Sequence, residues 1–586
     1  MSRYRSLLAV ASLVAAACRG ASPAPAPTPA AAPAGTPAAA ARSAFPEGWT
    51  YPARARRLAV PQAAVAAGNV IASEVGRNVL RQGGNAVDAA VATGFAMAVV
   101  DPEAGNIGGG GFMLIRRASG ESFLIDYRER APGAARRDMY IGPDGEPTDK
   151  SRIGHLAAGV PGSVAGLLEA HRRFGRLPLT TLIEPAIRLA RDGFILDSIR
   201  SARIRSDSAK LAQFPASVKI FLPGGRVPDA GERLVQQDLA RTLTTIRDKG
   251  ADGFYRGWVA DSIVAEMQRG GGLITHADLA AYEPIWRDPV AMRYRGHTVL
   301  GAPPVASGGV SLGMMLNMLQ AGGPVPAFGS AAMLHLYAET MRRAFVMRNR
   351  HVADPAYHDV PLAWLLTTQV GDSLRRTIDP AHATPTPAIA SPGTGSTTHY
   401  SVVDAEGMAV ATTTTINDLY GCGVTVSGAG FLLNDEMDDF STAPDRPNSW
   451  GLVQATPNEV EPGKRPLSNM TPTIVLDPEG EVLLVLGSRG GPTIITQVLQ
   501  VVVNVIDHRM DLVNAVGAPR VHHQATPDRL NVDRGGFTPA AIDSLRAMGH
   551  EIREQNPGGD IEAIMRTAGG WIAVSDPRSG GGPAGY

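Results

Sequence analysis

The sequence reads as α+β, and two layers of strands covered by helices would fit the order of its elements. Three observations point there. The first half alternates helical and loop patterns, the second half is dense in short strands that come in hairpin-like pairs, and a long apolar helix follows the last pair. The 55 basic and 55 acidic side chains leave no net charge, which gives no footing for nucleic acid or for an acidic membrane surface. Hydrophobic residues make up 44% of the 586, enough for a large core, and 66 glycines imply many tight turns and close backbone approaches.

At the start of the chain, Arg3 and Arg5 precede the uncharged run Leu7–Ala17. Residues 1–17 therefore read as an export signal, because that run is too short to span a bilayer as a helix. Cys18 follows Ala15–Ala17 and resembles the lipid-attachment box of bacterial lipoproteins, although Ala15 stands where that box usually carries leucine. Residues 21–41 use only Ala, Pro, Ser, Thr and Gly and read as a semi-extended tether. Residues 18–42 are accordingly a lipidated cysteine with its tether, a simple soluble export signal being the alternative. The only other cysteine is Cys422, which excludes a disulfide framework and a Cys-rich metal site.

The folded body begins at about Ser43. Glu74–Gln82 predicts a helix stopped by Gly83 and Gly84, and Ala86–Val100 predicts a buried helix. Phe123–Tyr127 reads as a strand and Met333–Asn349 as a long helix. Strands are expected at Ser401–Val403, Ala409–Thr415, Gly430–Leu433, Thr473–Leu476 and Val482–Leu486, with a helix over Gln497–Ile506. Ala405–Gly407 forms the turn between the first two strands. Just before them, Gly395 and Ser396 precede Thr397 and Thr398. This stretch has two readings. Either the threonines open an ordinary strand, which the pattern alone favours, or Thr397 attacks the carbonyl of Ser396 and the backbone breaks. The freed α-amine then becomes the base that a weakly nucleophilic hydroxyl requires.

Other motifs compete. Gly309–Gly313 matches the G-x-S-x-G elbow of serine hydrolases, but Pro303 and Pro304 are poor strand material and no Asp and His partners follow in order. A tight loop before a helix is preferred there. Gly108–Gly111 lacks the Lys-Ser/Thr ending of a phosphate loop, so close packing is expected. Gly487–Pro492 follows a strand directly; its glycines either aim N–H groups at an oxyanion or simply join strand to helix. His522 and His523 face apart and have no third ligand at suitable spacing, which suits a structural or surface role. Asp438 and Asp439 form either a solvated acidic loop or a receptor for a cation. Cys422, between Gly421 and Gly423, reads as a small packed side chain.

Taken together, Gln82–Ala90, Ala104–Met113, Asp126–Glu129, Gly159–Gly166, Thr397–Ser401, Asn434–Ser441, Lys464–Ser468 and Ser575–Ser579 closely resemble the γ-glutamyltransferase (γ-glutamyl transpeptidase) family in order and spacing. The resemblance spans nearly all of the folded body. It implies an N-terminal nucleophile hydrolase with an αββα sandwich, made as one precursor that cuts itself between Ser396 and Thr397. Residues 43–396 would be the large subunit and 397–586 the small catalytic subunit of a heterodimer. By the same resemblance Thr397 is the nucleophile, Thr415 hydrogen-bonds it, and Gly490 and Gly491 form the oxyanion loop. Arg128 grips the donor's α-carboxylate with Ser468 of a serine pair, whose second member is Asn469 here. Asn417, Glu436 and Asp439 hold the α-amino group. Arg489 stands where proline is common and Trp450 where tyrosine is familiar.

The expected activity is cleavage of the γ-glutamyl amide of glutathione and related donors, with water, an amino acid or a peptide as acceptor. No metal or organic cofactor is implied, and no nucleic acid. Export to the bacterial periplasm is expected, with membrane contact only through lipid on Cys18. Two rivals remain: an acylase for the glutaryl side chains of cephalosporins, and a non-catalytic binding protein that keeps the pocket without maturing.

Overall fold

The hairpin strands Thr397–Val403 and Ala409–Thr415 are buried along their whole length. A strand buried on both faces needs a layer on each side, and both layers are present. In the computed structural model the hairpin lies at the centre of a seven-stranded sheet. Gly582–Gly585 and Ala64–Ala67 flank it on one side; Gly110–Arg116, Ser122–Asp126 and Ile285–Arg287 follow on the other. A second seven-stranded sheet holds, in order, Arg56–Val60, Gly570–Ser575, Glu562–Thr567, Val482–Gly487, Thr473–Leu476, His297–Gly301 and Val290–Tyr294. The structure describes residues 45–385, 397–441, 446, 448 and 451–586. Cys18 with its signal and tether, Ser396 and Trp450 fall outside these residues.

Side-chain alternation explains the layers. Even-numbered residues of the hairpin, such as Tyr400, Val402 and Val410, join the core formed with helices including Val70–Arg81 and Ala86–Val100. Odd-numbered ones, Val403, Ala409 and Ala411, join a core with Ile474, Val485, Ile564 and Ala573 of the second sheet. The outer face of that sheet is covered by Gly308–Ala321, Ala331–His351 and Thr493–Ile506. The order is helix, sheet, sheet, helix. Ala86–Val100 is buried all round and starts from a capping box between Asn85 and Asp88, in which each side chain satisfies a backbone N–H of the other. Among the described residues no helix is long and apolar enough to cross a membrane.

Two expectations need correction. Gly430–Leu433 is not a strand but a loop with a single bridge from Leu432 to Thr425. Gly430 has φ +79° and lies so close to Leu239 that a Cβ would come within 2.4 Å of its backbone nitrogen; an extended ladder does not fit there. Gly309–Gly313 is neither elbow nor loop. It lies inside the helix Gly308–Ala321, with Ser311 fully buried.

Candidate active site

The hairpin register sets Thr397 directly opposite Thr415, and their hydroxyls lie 3.4 Å apart. Because side chains alternate, Thr397 and His399 face the second sheet, whereas Thr398 faces the helical side, close to Gly68. A slip of one residue would exchange the two threonines. The facing sheet comes close at His399. A Cβ on Gly487 would lie 2.3 Å from the His399 ring, so only glycine fits at the end of that strand. The chain then turns through Ser488–Pro492, with Gly490 at φ +119° and Gly491 at φ +57°. Ser488 and Gln497 hold this loop, the Ser488 hydroxyl donating to Gln497 Oε1 at 2.7 Å and Gln497 Nε2 to the Arg489 carbonyl at 3.2 Å. Neither the Gly490 nor the Gly491 backbone N–H donates to another described residue.

From Thr415 the site continues through hydrogen bonds. The Asn417 backbone N–H donates to Thr415 Oγ1 at 2.8 Å, and its Nδ2 to the Asp435 carbonyl at 3.0 Å. Asn417 has φ +72°, a left-handed conformation that Asn tolerates better than most residues. Glu436 and Asp439 follow in a short 3₁₀ turn, and both meet Arg128. The guanidinium lies 2.5 Å from Glu436 and pairs closely with Asp439, with Glu129 at 3.4 Å. All four are buried. Arg128 also donates to the carbonyl of Pro466 at 3.2 Å, which brings the segment carrying Ser468 and Asn469 alongside.

The electrostatics of this cluster are unusual. Burial pulls the Arg128 guanidinium down, but the Glu436 and Asp439 carboxylates outweigh it and hold it above its ordinary value. Burial raises Glu436 and Asp439, against the opposing pull of Arg128, and pushes Glu129 up to about 7. One guanidinium thus faces three carboxyl groups away from water, so the site favours the arrival of a further positive charge.

Thr397, Thr415 and Asn417 are thus linked by hydrogen bonds to the Asp435 carbonyl, next in the chain to Glu436, which meets Arg128 as Asp439 does; Gly490 and Gly491 lie on a separate loop after the facing strand. Asp438 and Asp439 are buried, which rules out a solvated loop; Ser151 donates to Asp438 at 2.6 Å. His522 and His523 are buried and bonded to Thr496, Gln524 and Asp528. Cys422 is packed, its thiol pushed up to about 12 by burial. Three contributors were missed from sequence. Asn106 donates to the Thr415 carbonyl at 2.8 Å, and Glu129 completes the acidic set. Arg348 reaches Asn469 from a helix whose pattern carries no such signal.

The family model described as Gamma-glutamyltranspeptidase matches residues 72–586. The chain belongs to this family. A Glutathione hydrolase proenzyme of Escherichia coli (strain K12) is 43% identical over 539 residues, covering 90% of this chain and 92% of the relative. Among solved structures, a cephalosporin acylase from Bacillus halodurans superposes with a TM-score of 0.82 at 26% identity, over 92% of this chain and 99% of that one. Helicobacter pylori gamma-Glutamyltranspeptidase superposes with a TM-score of 0.53 at 40% identity, over 54% of this chain and 91% of that one. As a family member the chain is an enzyme with the N-terminal nucleophile fold, and its two sheets with outer helices are that αββα sandwich.

Proposed function

We propose that this gamma-glutamyltranspeptidase family member is a self-processing enzyme that cleaves the γ-glutamyl amide of glutathione and related donors. The observation that carries the reading is the buried set of Arg128, Glu436 and Asp439, one contact away from the segment joined to the Thr397–Thr415 pair. A free amino-acid end is zwitterionic. Its carboxylate takes Arg128 and its ammonium takes the two acids, so the charges that pair with one another re-pair with the donor. Ser468 and Asn469 supply further donors to the carboxylate, and Asn417 an oxygen to the ammonium.

The reaction then follows. In the precursor, Thr397 Oγ1 attacks the Ser396 carbonyl and the Ser396–Thr397 C–N bond breaks, which frees the Thr397 α-amine; water then hydrolyses the resulting ester, restoring the Thr397 hydroxyl and leaving the large subunit with a terminal carboxylate. In the mature enzyme that amine takes the hydroxyl proton as Oγ1 attacks the donor's γ-carbonyl. Gly490 and Gly491 N–H groups bind the developing oxyanion. The proton passes to the departing amine, the C–N bond breaks, and a γ-glutamyl ester remains on Thr397. Water or the amine of an amino acid or peptide attacks this ester, returns the proton to Thr397 and completes hydrolysis or transfer. Thr415 orients the nucleophile through its hydroxyl.

The acylase reading has support in the Bacillus halodurans superposition. Charge argues against it. A glutaryl group brings a carboxylate but no ammonium, so it would engage Arg128 and leave Glu436 and Asp439 without their cation in a buried site. Measuring kcat/KM for γ-glutamyl and glutaryl anilides separates the two. The γ-glutamyl donor is expected to lead by roughly thirty-fold or more; comparable values would overturn this reading in favour of the acylase.

The name of the Escherichia coli relative supports glutathione as donor. The reading of residues 1–17 as an export signal, of Cys18 as lipid-bearing and of 18–42 as a tether gives a periplasmic enzyme held at a membrane by acyl chains.

A further inference from the structure

Arg128, Arg200 and Arg348 are among the largest fully buried side chains of the described fold. Arg128 faces Glu436 and Asp439, and Arg200 faces Asp101 and Asp197. Arg348 differs. Projecting from the helix Ala331–His351, it donates from Nε to Ser307 Oγ at 3.1 Å, from Nη1 to Asn349 Oδ1 at 2.8 Å and from Nη2 to Asn469 Oδ1 at 2.8 Å. Among the described residues no carboxylate lies within ion-pair distance of it, and all three of these hydrogen bonds go to neutral oxygens. Burial pushes it down to about 10, the field of Asp439 opposing. A buried guanidinium without a counter-ion is costly, and it favours the arrival of an anion.

We propose that Arg348 is a positioning residue of the donor site, which holds Asn469 by its amide oxygen and turns the amide NH₂ toward the donor's α-carboxylate. The proposal rests on the donor-site reading given above. Its chemistry is one-sided. A guanidinium has donors and no acceptor, so the Asn469 atom facing it is the oxygen and the NH₂ faces away. That NH₂ donates to no described residue. The serine that the family resemblance implies at position 469 would rotate a single hydroxyl to suit its ligand; asparagine has two unlike ends and needs something to fix which is presented. Ser307 ties the same place down from the other side, its backbone N–H and hydroxyl donating to the Ser468 carbonyl at 2.7 and 2.6 Å.

The test compares two anilide donors on mature enzyme: γ-glutamyl, and 4-aminobutanoyl, which keeps the amine and lacks the α-carboxylate. Arg348→Met and Asn469→Ala are each expected to lower kcat/KM for the γ-glutamyl donor by about ten-fold or more, mainly through KM, since a hydrogen bond to a charged group is lost. The 4-aminobutanoyl donor should change by less than about two-fold, and the double variant should be no worse than the poorer single one. If Arg348→Met does not mature into two fragments, Asn469→Ala, which leaves Arg348 in place, carries the comparison. Equal losses on both donors, or an Asn469→Ala enzyme whose donor ratio is unchanged, would overturn the proposal. The wild type reports separately on the donor-site reading: if it turns over both donors equally well, that reading falls and takes this one with it.

Discussion

At the scale of single residues, donor binding turns on charges removed from water. Asp439 is assigned to the donor's ammonium, and truncating one member of a desolvated pair leaves the other unmatched, at a cost of about 2–5 kcal/mol in binding. Asp439→Ala is therefore expected to lower kcat/KM for γ-glutamyl donors by roughly thirty-fold or more. Maturation should survive, because the ammonium pocket takes no part in the attack on Ser396; steady-state kinetics and gel electrophoresis read the two outcomes. A variant that stops maturing, or that keeps full activity, contradicts the assignment. Arg128, Glu436 and Asp439 were legible in the sequence because they sit in short, distinctive motifs. Arg348 was not. An arginine near the end of a long helix is ordinarily a surface residue, and only the packing of that helix against the Ser307 and Asn469 segments buries it.

At the scale of elements, the hairpin was legible because its turn and its β-branched run are local signals. Its two-sided burial was not, since that depends on a sheet and a helix layer contributed from elsewhere in the chain. The loop at Gly430 was misread because a short apolar run looks the same whether it pairs in a ladder or packs as a loop. Two predictions belong here. Gly487→Ala would drive a methyl into the His399 ring, so it is expected to cost about 1–3 kcal/mol of stability and to displace the loop that begins at Ser488. Denaturant unfolding and kcat measure both effects, and an unchanged enzyme would refute the close approach. His399 itself is buried, bonded to Thr413 at 2.8 Å and Ser401 at 3.1 Å, and burial pushes it down to about 3. An unfolded histidine titrates near about 6.5. Stability from a depressed base is full above that value and is lost as pH falls toward the folded one, because only the unfolded chain takes up the proton. His399→Gln should therefore flatten the fall in melting temperature between about pH 7 and pH 4; the same slope as wild type would show that His399 does not titrate this way.

At the scale of the whole molecule, the expected cut between Ser396 and Thr397 falls in the sequence but not in the fold. Each sheet combines strands from both sides of that bond: Ala64–Ala67 and Gly110–Arg116 flank the hairpin that begins at Thr397, and His297–Gly301 lies beside Thr473–Leu476. The two pieces are thus expected to stay joined by a shared core after cleavage. This shared core was foreshadowed by the family resemblance alone, since no periodicity tells which strands from distant segments pair. At the other end of the chain, Cys18→Ser should release the enzyme from membranes or block its maturation as a lipoprotein, because each buried CH₂ of an acyl chain contributes about 0.8 kcal/mol. Wild-type protein recovered without detergent in the periplasmic fraction would count against the anchor. The central claim is that one hydroxyl both cuts the precursor and carries the acyl group, and intact-mass analysis of wild type and Thr397→Ala, paired with an anilide assay, tests it most directly. Two wild-type fragments are expected, the smaller beginning Thr397-Thr398-His399, and a Thr397→Ala protein that stays whole and turns over nothing. A Thr397→Ala protein that still divides and still cleaves the γ-glutamyl anilide would contradict it.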